Sequence, residues 1–94
     1  MHGEYKVPGG KLVVVDLDVD AGRLRNVELS GDFFLFPEDT LWRMTAALEG
    51  APADIDQADL AGRVSQAAMG AELIGITPEG VAVAVRRAVA GDTS

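Results

Sequence analysis

The 94-residue sequence contains no cysteine and a single histidine, His2. Without cysteine the chain cannot form a disulfide, a thiol nucleophile or a zinc–thiolate site. One histidine, which we expect in a frayed terminus, cannot make a multi-histidine metal site or an internal Ser–His–Asp triad. The sequence therefore argues against a small independent enzyme.

Positive charge is also scarce, since 8 Lys and Arg residues stand against 15 Asp and Glu, which gives a net charge of -7. An acidic chain repels nucleic-acid phosphates and anionic membranes, so neither is expected as a partner. Apolar runs such as Leu12 to Val15 are far shorter than the ~20 residues of a membrane-spanning helix. The N-terminus lacks the apolar segment of a secretory signal. We therefore expect a cytoplasmic protein.

The first third of the chain predicts an antiparallel hairpin. Residues 13–20 alternate apolar and mostly acidic side chains, which is typical of a strand with one solvated face. Gly22 predicts the turn, and residues 24–30 form the second strand. Because Leu24 is out of phase with the apolar residues that follow it, we expect a bulge or a strand start near residues 25–26.

Three helices are predicted after the strands. Pro37 begins the first helix, and Trp42 flanks its apolar stripe, where a tryptophan is more often part of the core than a ligand platform. Asp54 or Asp56 caps the second helix, and Thr77 caps the third.

Strands followed by helices indicate an α+β fold. We expect a small antiparallel sheet, made of the N-terminal hairpin and a short third strand, with the three helices packed on one face. Apolar residues make up 48% of the sequence, and a chain of this length is typical of one domain. The predicted domain spans residues 1–94 and ends in a flexible tail at residues 91–94.

Three aspartates of the first strand, Asp16, Asp18 and Asp20, raise the possibility of a calcium loop. Counted from Asp16, the sixth and twelfth positions are Ala21 and Val27, where an EF-hand needs glycine and glutamate. The solvated face of a strand explains the three carboxylates better, and we expect no metal site.

The only two lysines flank a Pro-Gly-Gly sequence, in a segment named here the lysine turn (residues 6–11). Glycine lets the backbone approach a ligand or partner closely. The spacing does not fit a phosphate-binding loop, because Leu12 stands where Ser or Thr is required. A strand-entry turn with solubilising lysines is the simpler interpretation, and the segment alone favours it.

All three phenylalanines lie within residues 33–36, directly after Gly31 and Asp32. Four large apolar residues in series cannot all face one side of a strand. The segment is either buried on both sides, between the sheet and the first helix, or partly an exposed patch that awaits a partner. The sequence leaves both alternatives open. Asp32 is expected as a turn residue.

These motifs together resemble the C-terminal domain of bacterial and archaeal lipoate–protein ligases. The similar segments are Lys-Val-Pro-Gly-Gly-Lys-Leu, a hairpin containing Gly-Arg-Leu, and Ser-Gly-Asp-Phe-Phe-Leu-Phe-Pro-Glu. The resemblance covers about residues 4–90 and is strongest over residues 6–38. It implies a fold similar to the sulfur-transfer scaffold proteins of iron–sulfur assembly, but without cysteine no sulfur-handling role is carried over. The family's catalytic lysine and lipoate-binding motifs belong to its large domain, so no catalytic residue is carried over either.

The resemblance implies a free-standing, non-catalytic subunit that docks on the catalytic subunit of a lipoate–protein ligase. There it would support ATP-dependent formation of lipoyl-adenylate, with lipoyl-acceptor domains as indirect partners. The complex would use ATP, Mg and lipoate, or octanoate in its place, and this chain alone would bind none of them. The alternative is a stand-alone module that binds a small carboxylate or acyl ligand, or a protein, with no ligase partner.

Two groups of site residues follow from this reading. The expected contact with the partner, near its adenylate cleft, consists of Lys6, Gly9, Gly10 and Lys11. The expected interface or core segment consists of Asp32, Phe33, Phe34 and Phe36.

Overall fold

The α+β fold predicted from the sequence is confirmed in a computed structural model, which describes residues 1–91. Residues 92–94 of the predicted tail (residues 91–94) lie outside the described residues. Three antiparallel strands form one sheet in the order β1-β2-β3, and β4 and β5 form a separate two-stranded ribbon. The elements are β1 (His2–Lys6), β2 (Leu12–Asp20), β3 (Arg23–Gly31), β4 (Phe34–Phe36), α1 (Thr40–Leu48), α2 (Gln57–Ala67), β5 (Glu72–Ile74) and α3 (Pro78–Ala90).

The predicted hairpin and its bulge are both present. Strands β2 and β3 pair antiparallel, and the register shifts by one residue between Asp16 and Asp18. The extra residue lies on the opposing strand, β3, at Asn26. Its φ of 54° is left-handed, and asparagine tolerates this conformation better than most residues. Because of the extra residue, Leu24 and Val27 are both buried although they are three positions apart.

The N-terminal residues, which we expected to fray, form strand β1. They pair with β2 in an antiparallel register that sets His2 opposite Asp16. The two ring nitrogens of His2 lie 2.7 Å from carboxylate oxygens of Glu4 and Asp16. Hydrogen bonds with Glu4 and then Asp16 raise the pKa of His2 above its ordinary value of 6.5. The strand was missed because its short sequence has no apolar alternation.

Helix α1 differs from the prediction in two ways. It begins at Thr40 rather than Pro37, because the residues before it form a turn in which the Thr40 N–H donates to the Pro37 carbonyl oxygen. Trp42 is not in the core, since 73% of its surface is exposed. Residues 40, 44 and 48 face the interior, and at 100° per residue position 42 points to the opposite side.

Helices α2 and α3 begin where the sequence predicts. The Asp56 side chain accepts a hydrogen bond from the Asp59 N–H, and Thr77 accepts one from the Gly80 N–H. Gly91, with a φ of 72°, ends α3 in the left-handed conformation that glycine favours. Within residues 1–91 no helix combines the length and apolar character that crossing a membrane requires.

Helix α3 lies directly on the sheet because small residues line the contact. A Cβ atom added to Gly3 of β1 would lie 2.5 Å from the Ala88 nitrogen and closer still to the Ala84 carbonyl oxygen. Glycine at position 3 therefore sets the distance between sheet and helix. The buried side of α3 consists of Gly80, Val81, Ala82, Ala84, Val85 and Ala88.

We predict that replacing glycine by alanine has opposite effects on the free energy of unfolding at positions 3 and 62. Gly3→Ala forces β1 away from α3 and is expected to lower the free energy of unfolding by about 1–3 kcal/mol. Gly62→Ala, within α2, adds a Cβ that meets nothing within 4 Å and is expected to raise it by up to about 1 kcal/mol. Urea denaturation of both variants tests the packing, and equal effects would contradict it.

A second prediction concerns pH. Because the folded-state pKa of His2 is raised, its protonated ring stabilises the fold below the unfolded pKa, and this stabilisation is lost as pH rises through the folded pKa. His2→Gln is expected to remove this component. Unfolding free energies measured from about pH 5 to pH 9 should converge at high pH for the two proteins. Superimposable profiles would show that His2 contributes nothing.

Candidate partner-binding site

The lysine turn is held by its own backbone. The Val7 N–H donates to the Lys11 carbonyl oxygen over 3.1 Å, and the Gly10 N–H donates to the Val7 carbonyl oxygen over 2.8 Å. Gly9 adopts a φ of 72°. Val7 is buried whereas Lys6 and Lys11 are exposed. The turn therefore carries two lysines at the surface on a defined backbone.

A close contact between two glycines joins the lysine turn to the loop that follows β5. The Lys11 N–H donates to the Gly75 carbonyl oxygen over 2.7 Å. A Cβ atom on Gly10 would lie 2.5 Å from that same oxygen, and Gly75 itself has a φ of 92°. Larger residues at positions 10 and 75 would push the two segments apart. We call this close approach the Gly10–Gly75 contact.

In the aromatic segment (residues 33–36), buried and exposed side chains alternate because residues 34–36 form strand β4. In the ribbon, Phe34 pairs with Ile74 and Leu35 pairs with Leu73. Leu35 is buried, whereas Phe34 is 62% exposed and Phe36 is 51% exposed. Of the two alternatives that the sequence left open, the structure thus shows an exposed patch. We call Phe34, Phe36 and the exposed Ile74 the aromatic face.

The two motifs singled out in the sequence lie side by side. A Cβ atom on Gly75 would contact the Lys11 side chain and, at 3.6 Å, the Cβ atom of Phe33. Phe33 is half-buried, and Asp32 is exposed in the bend before β4. The lysine turn and the beginning of the aromatic segment therefore meet around Gly75, although about twenty residues separate them along the chain.

A groove beside α1 was not predicted. It has a volume of about 460 Å³ and lies between residues 27–30 of β3 and a wall formed by Glu38, Leu41, Trp42 and Thr45. A smaller hollow of about 210 Å³ continues from it past Leu41 to the aromatic segment. We call the larger one the Trp42 groove. The sequence does carry a signal for this groove. Trp42 lies two positions from the buried residues Thr40 and Met44, a spacing that places its side chain on the exposed side of α1.

Within residues 1–91 no three His, Asp or Glu side chains converge so as to hold a metal ion. The histidine lies at the start of β1, about 13 Å along the strand from the lysine turn, and is bonded to Glu4 and Asp16. Among the described residues the ion pairs join His2 to Glu4, His2 to Asp16 and Arg43 to Asp39, so neither lysine takes part in one.

Comparison with known proteins identifies the family. No family model matches the chain. A curated relative, lipoate-protein ligase A subunit 2 of Thermoplasma acidophilum, is 45% identical over 40 residues, a match that spans 43% of each protein. A solved structure of an archaeal lipoylation system, described as a bi-partite lipoate protein ligase and its E2 lipoyl domain from that organism, contains a chain that is 31% identical, with a TM-score of 0.72, over 92% of this chain and 93% of that one. The chain belongs to the family of lipoate–protein ligase accessory subunits.

Membership of the lipoate–protein ligase family confirms the resemblance that the sequence motifs indicated. The structural match covers nearly all of the chain, including the helical half. It does not assign roles to individual residues. The contacts expected of the lysine turn and of the aromatic face therefore stay predictions.

We predict that the aromatic face contributes little to stability. Replacing both Phe34 and Phe36 by serine should change the free energy of unfolding by less than about 0.5–1 kcal/mol, because both side chains are largely exposed. Leu35→Ala, on the buried side of the same strand, should lower it by about 2–5 kcal/mol. Chemical denaturation compares the variants. A double serine variant as unstable as Leu35→Ala would place the phenylalanines in the core.

Proposed function

We propose that this chain is a cytoplasmic, non-catalytic accessory subunit that docks on the catalytic subunit of a lipoate–protein ligase and supports ATP-dependent formation of lipoyl-adenylate. The observation that carries the proposal is the similarity, over nearly the whole chain, to a chain of a bi-partite ligase. The complex would use ATP, Mg and lipoate, or octanoate in its place. Lipoyl-acceptor domains would be reached through the catalytic subunit.

The aromatic face is the proposed docking surface. Phe34, Phe36 and Ile74 together expose a contiguous apolar area on a small chain, and such areas mark sites of protein interaction. Burying an exposed phenylalanine contributes about 1.5–3 kcal/mol, so two of them can supply a large part of an interface. The short ribbon presents both rings on the same side, since residues two apart on a strand share a face.

The lysine turn is the proposed contact with the adenylate cleft. It adjoins the aromatic segment through the Gly10–Gly75 contact, so a partner seated on the aromatic face would lie within reach of Lys6 and Lys11. A lysine ammonium there would neutralise phosphate charge that develops as pyrophosphate leaves ATP. In this arrangement the chain completes a site whose reacting groups belong to the partner.

Reconstitution tests the proposed function. Purified catalytic subunit should form lipoyl-adenylate from ATP and lipoate only when this chain is added, and the two should co-elute in gel filtration. Full adenylation by the catalytic subunit alone would contradict the accessory role. Adenylation by the isolated chain would contradict its non-catalytic character, and failure of the two proteins to associate would favour the stand-alone binding module.

Lys11→Ala tests the role of the lysine turn. We expect it to slow lipoyl-adenylate formation by about 10–100-fold, through loss of a charge that stabilises the transition state. Transfer from preformed lipoyl-adenylate to an acceptor domain should be unchanged. Arg63→Ala, which removes one exposed positive charge on α2, is the matched control and should affect neither step. An unchanged adenylation rate in the Lys11 variant would rule out this contact.

A further inference from the structure

The Trp42 groove has an apolar floor and wall that residues 1–91 leave open. Trp42 is 73% exposed although Leu29, across the groove, is buried. Leu41 lines the same groove and is half-buried. An exposed indole beside a concave apolar surface is typical of a binding site for a large side chain.

The rim of the groove is acidic. Glu28 on β3 and Glu38 before α1 both line it, and both are exposed. The nearest cations in sequence do not offset them. The Arg43 guanidinium donates to the Thr40 hydroxyl at 3.1 Å and lies 3.8 Å from Asp39. The Arg25 guanidinium donates to the Leu24 carbonyl oxygen at 3.4 Å. None of the residues that line the groove is a lysine or arginine. The electrostatics therefore favour an occupant with positive charge on both sides of an apolar group.

The outer edge of β3 is covered along one part and open along the next. The Leu24 N–H donates to the Ala51 carbonyl oxygen, and the Gly50 N–H donates to the Leu24 carbonyl oxygen. Farther on, the Val27 N–H points outward to the Glu49 carboxylate. In the part of the chain described, no backbone hydrogen bond joins residues 28–30 to any element other than β2.

The alternation of an antiparallel ladder identifies the free backbone groups. Because the Val27 N–H points outward, the N–H and C=O of the residue two positions later, Leu29, also lie on the outer edge. These groups are beside the groove. A donor and an acceptor at an open strand edge suit an extended segment that adds to the sheet.

We propose that the Trp42 groove seats an extended segment of the ligase catalytic subunit that carries a large apolar side chain flanked by lysine or arginine. This inference rests on the proposed function. The segment pairs with the Leu29 backbone, its apolar side chain packs against Trp42 and Leu41, and its cations face Glu28 and Glu38. A second copy of this chain is disfavoured as occupant, since each copy carries a net charge of -7 and the same acidic rim.

Charge reversal at the rim tests the occupant. The double variant Glu28→Lys, Glu38→Lys should bind the purified catalytic subunit about tenfold or more weakly than the unmodified chain, because like charges then meet at the interface. The matched control is Asp20→Lys with Asp54→Lys, two exposed positions outside the groove that give the same change in net charge. Equal weakening in both variants would show a general charge effect and overturn the assignment of the groove.

The sole tryptophan provides a readout that needs no destabilising substitution. 5-Hydroxytryptophan at position 42 can be excited without exciting the tryptophans of the catalytic subunit. When the catalytic subunit is added, the emission of residue 42 should shift to the blue, and its quenching by acrylamide should fall several-fold. If the complex forms and activates lipoate while quenching is unchanged, the groove assignment is wrong and the proposed function stands. If neither complex nor activation is seen, the proposed function fails and the inference fails with it. The same shift produced by raising the concentration of the chain alone would identify self-association and overturn the proposed occupant.

Discussion

The close approach of strand β1 to helix α3 is the constraint on which the rest of the structure depends. Gly3 leaves room for the helix backbone at Ala88, and Gly80 leaves room for the Val7 side chain in the same way. The Arg87 guanidinium reinforces the contact, since it donates to the Glu4 carbonyl oxygen at 3.0 Å and lies over the neighbouring tyrosine ring. Because β1 is fixed against α3, the start of the lysine turn that follows β1 is fixed as well.

That position brings the lysine turn to the loop after β5, where the Gly10–Gly75 contact joins them. Strand β5 in turn pairs with β4 and holds the aromatic face outward. The proposed function uses this arrangement as a surface: apolar side chains for docking, lysines beside them, and the Trp42 groove continuing past Leu41. In the proposed function, the contribution of this surface is to complete a site on another protein.

Local signals in the sequence predicted local features well. The bulge near Asn26 and the caps at Asp56 and Thr77 depend on nearby residues, and all three are present. The family resemblance also followed from short motifs. The exposure of Phe34 could not be derived, because it depends on pairing with β5, some forty residues away. The Trp42 groove was missed for a similar reason, since it requires both the register of α1 and its packing against β3.

Hydrogen exchange measured by mass spectrometry, with and without the purified catalytic subunit, tests the central claim most directly. The claim is that one continuous surface of this chain docks on the ligase. We expect added protection in residues 6–11, 27–45 and 72–75, which carry the lysine turn, the Trp42 groove and the aromatic face, and none in α2. Protection confined to α2 in a complex that forms and activates lipoate would contradict the account.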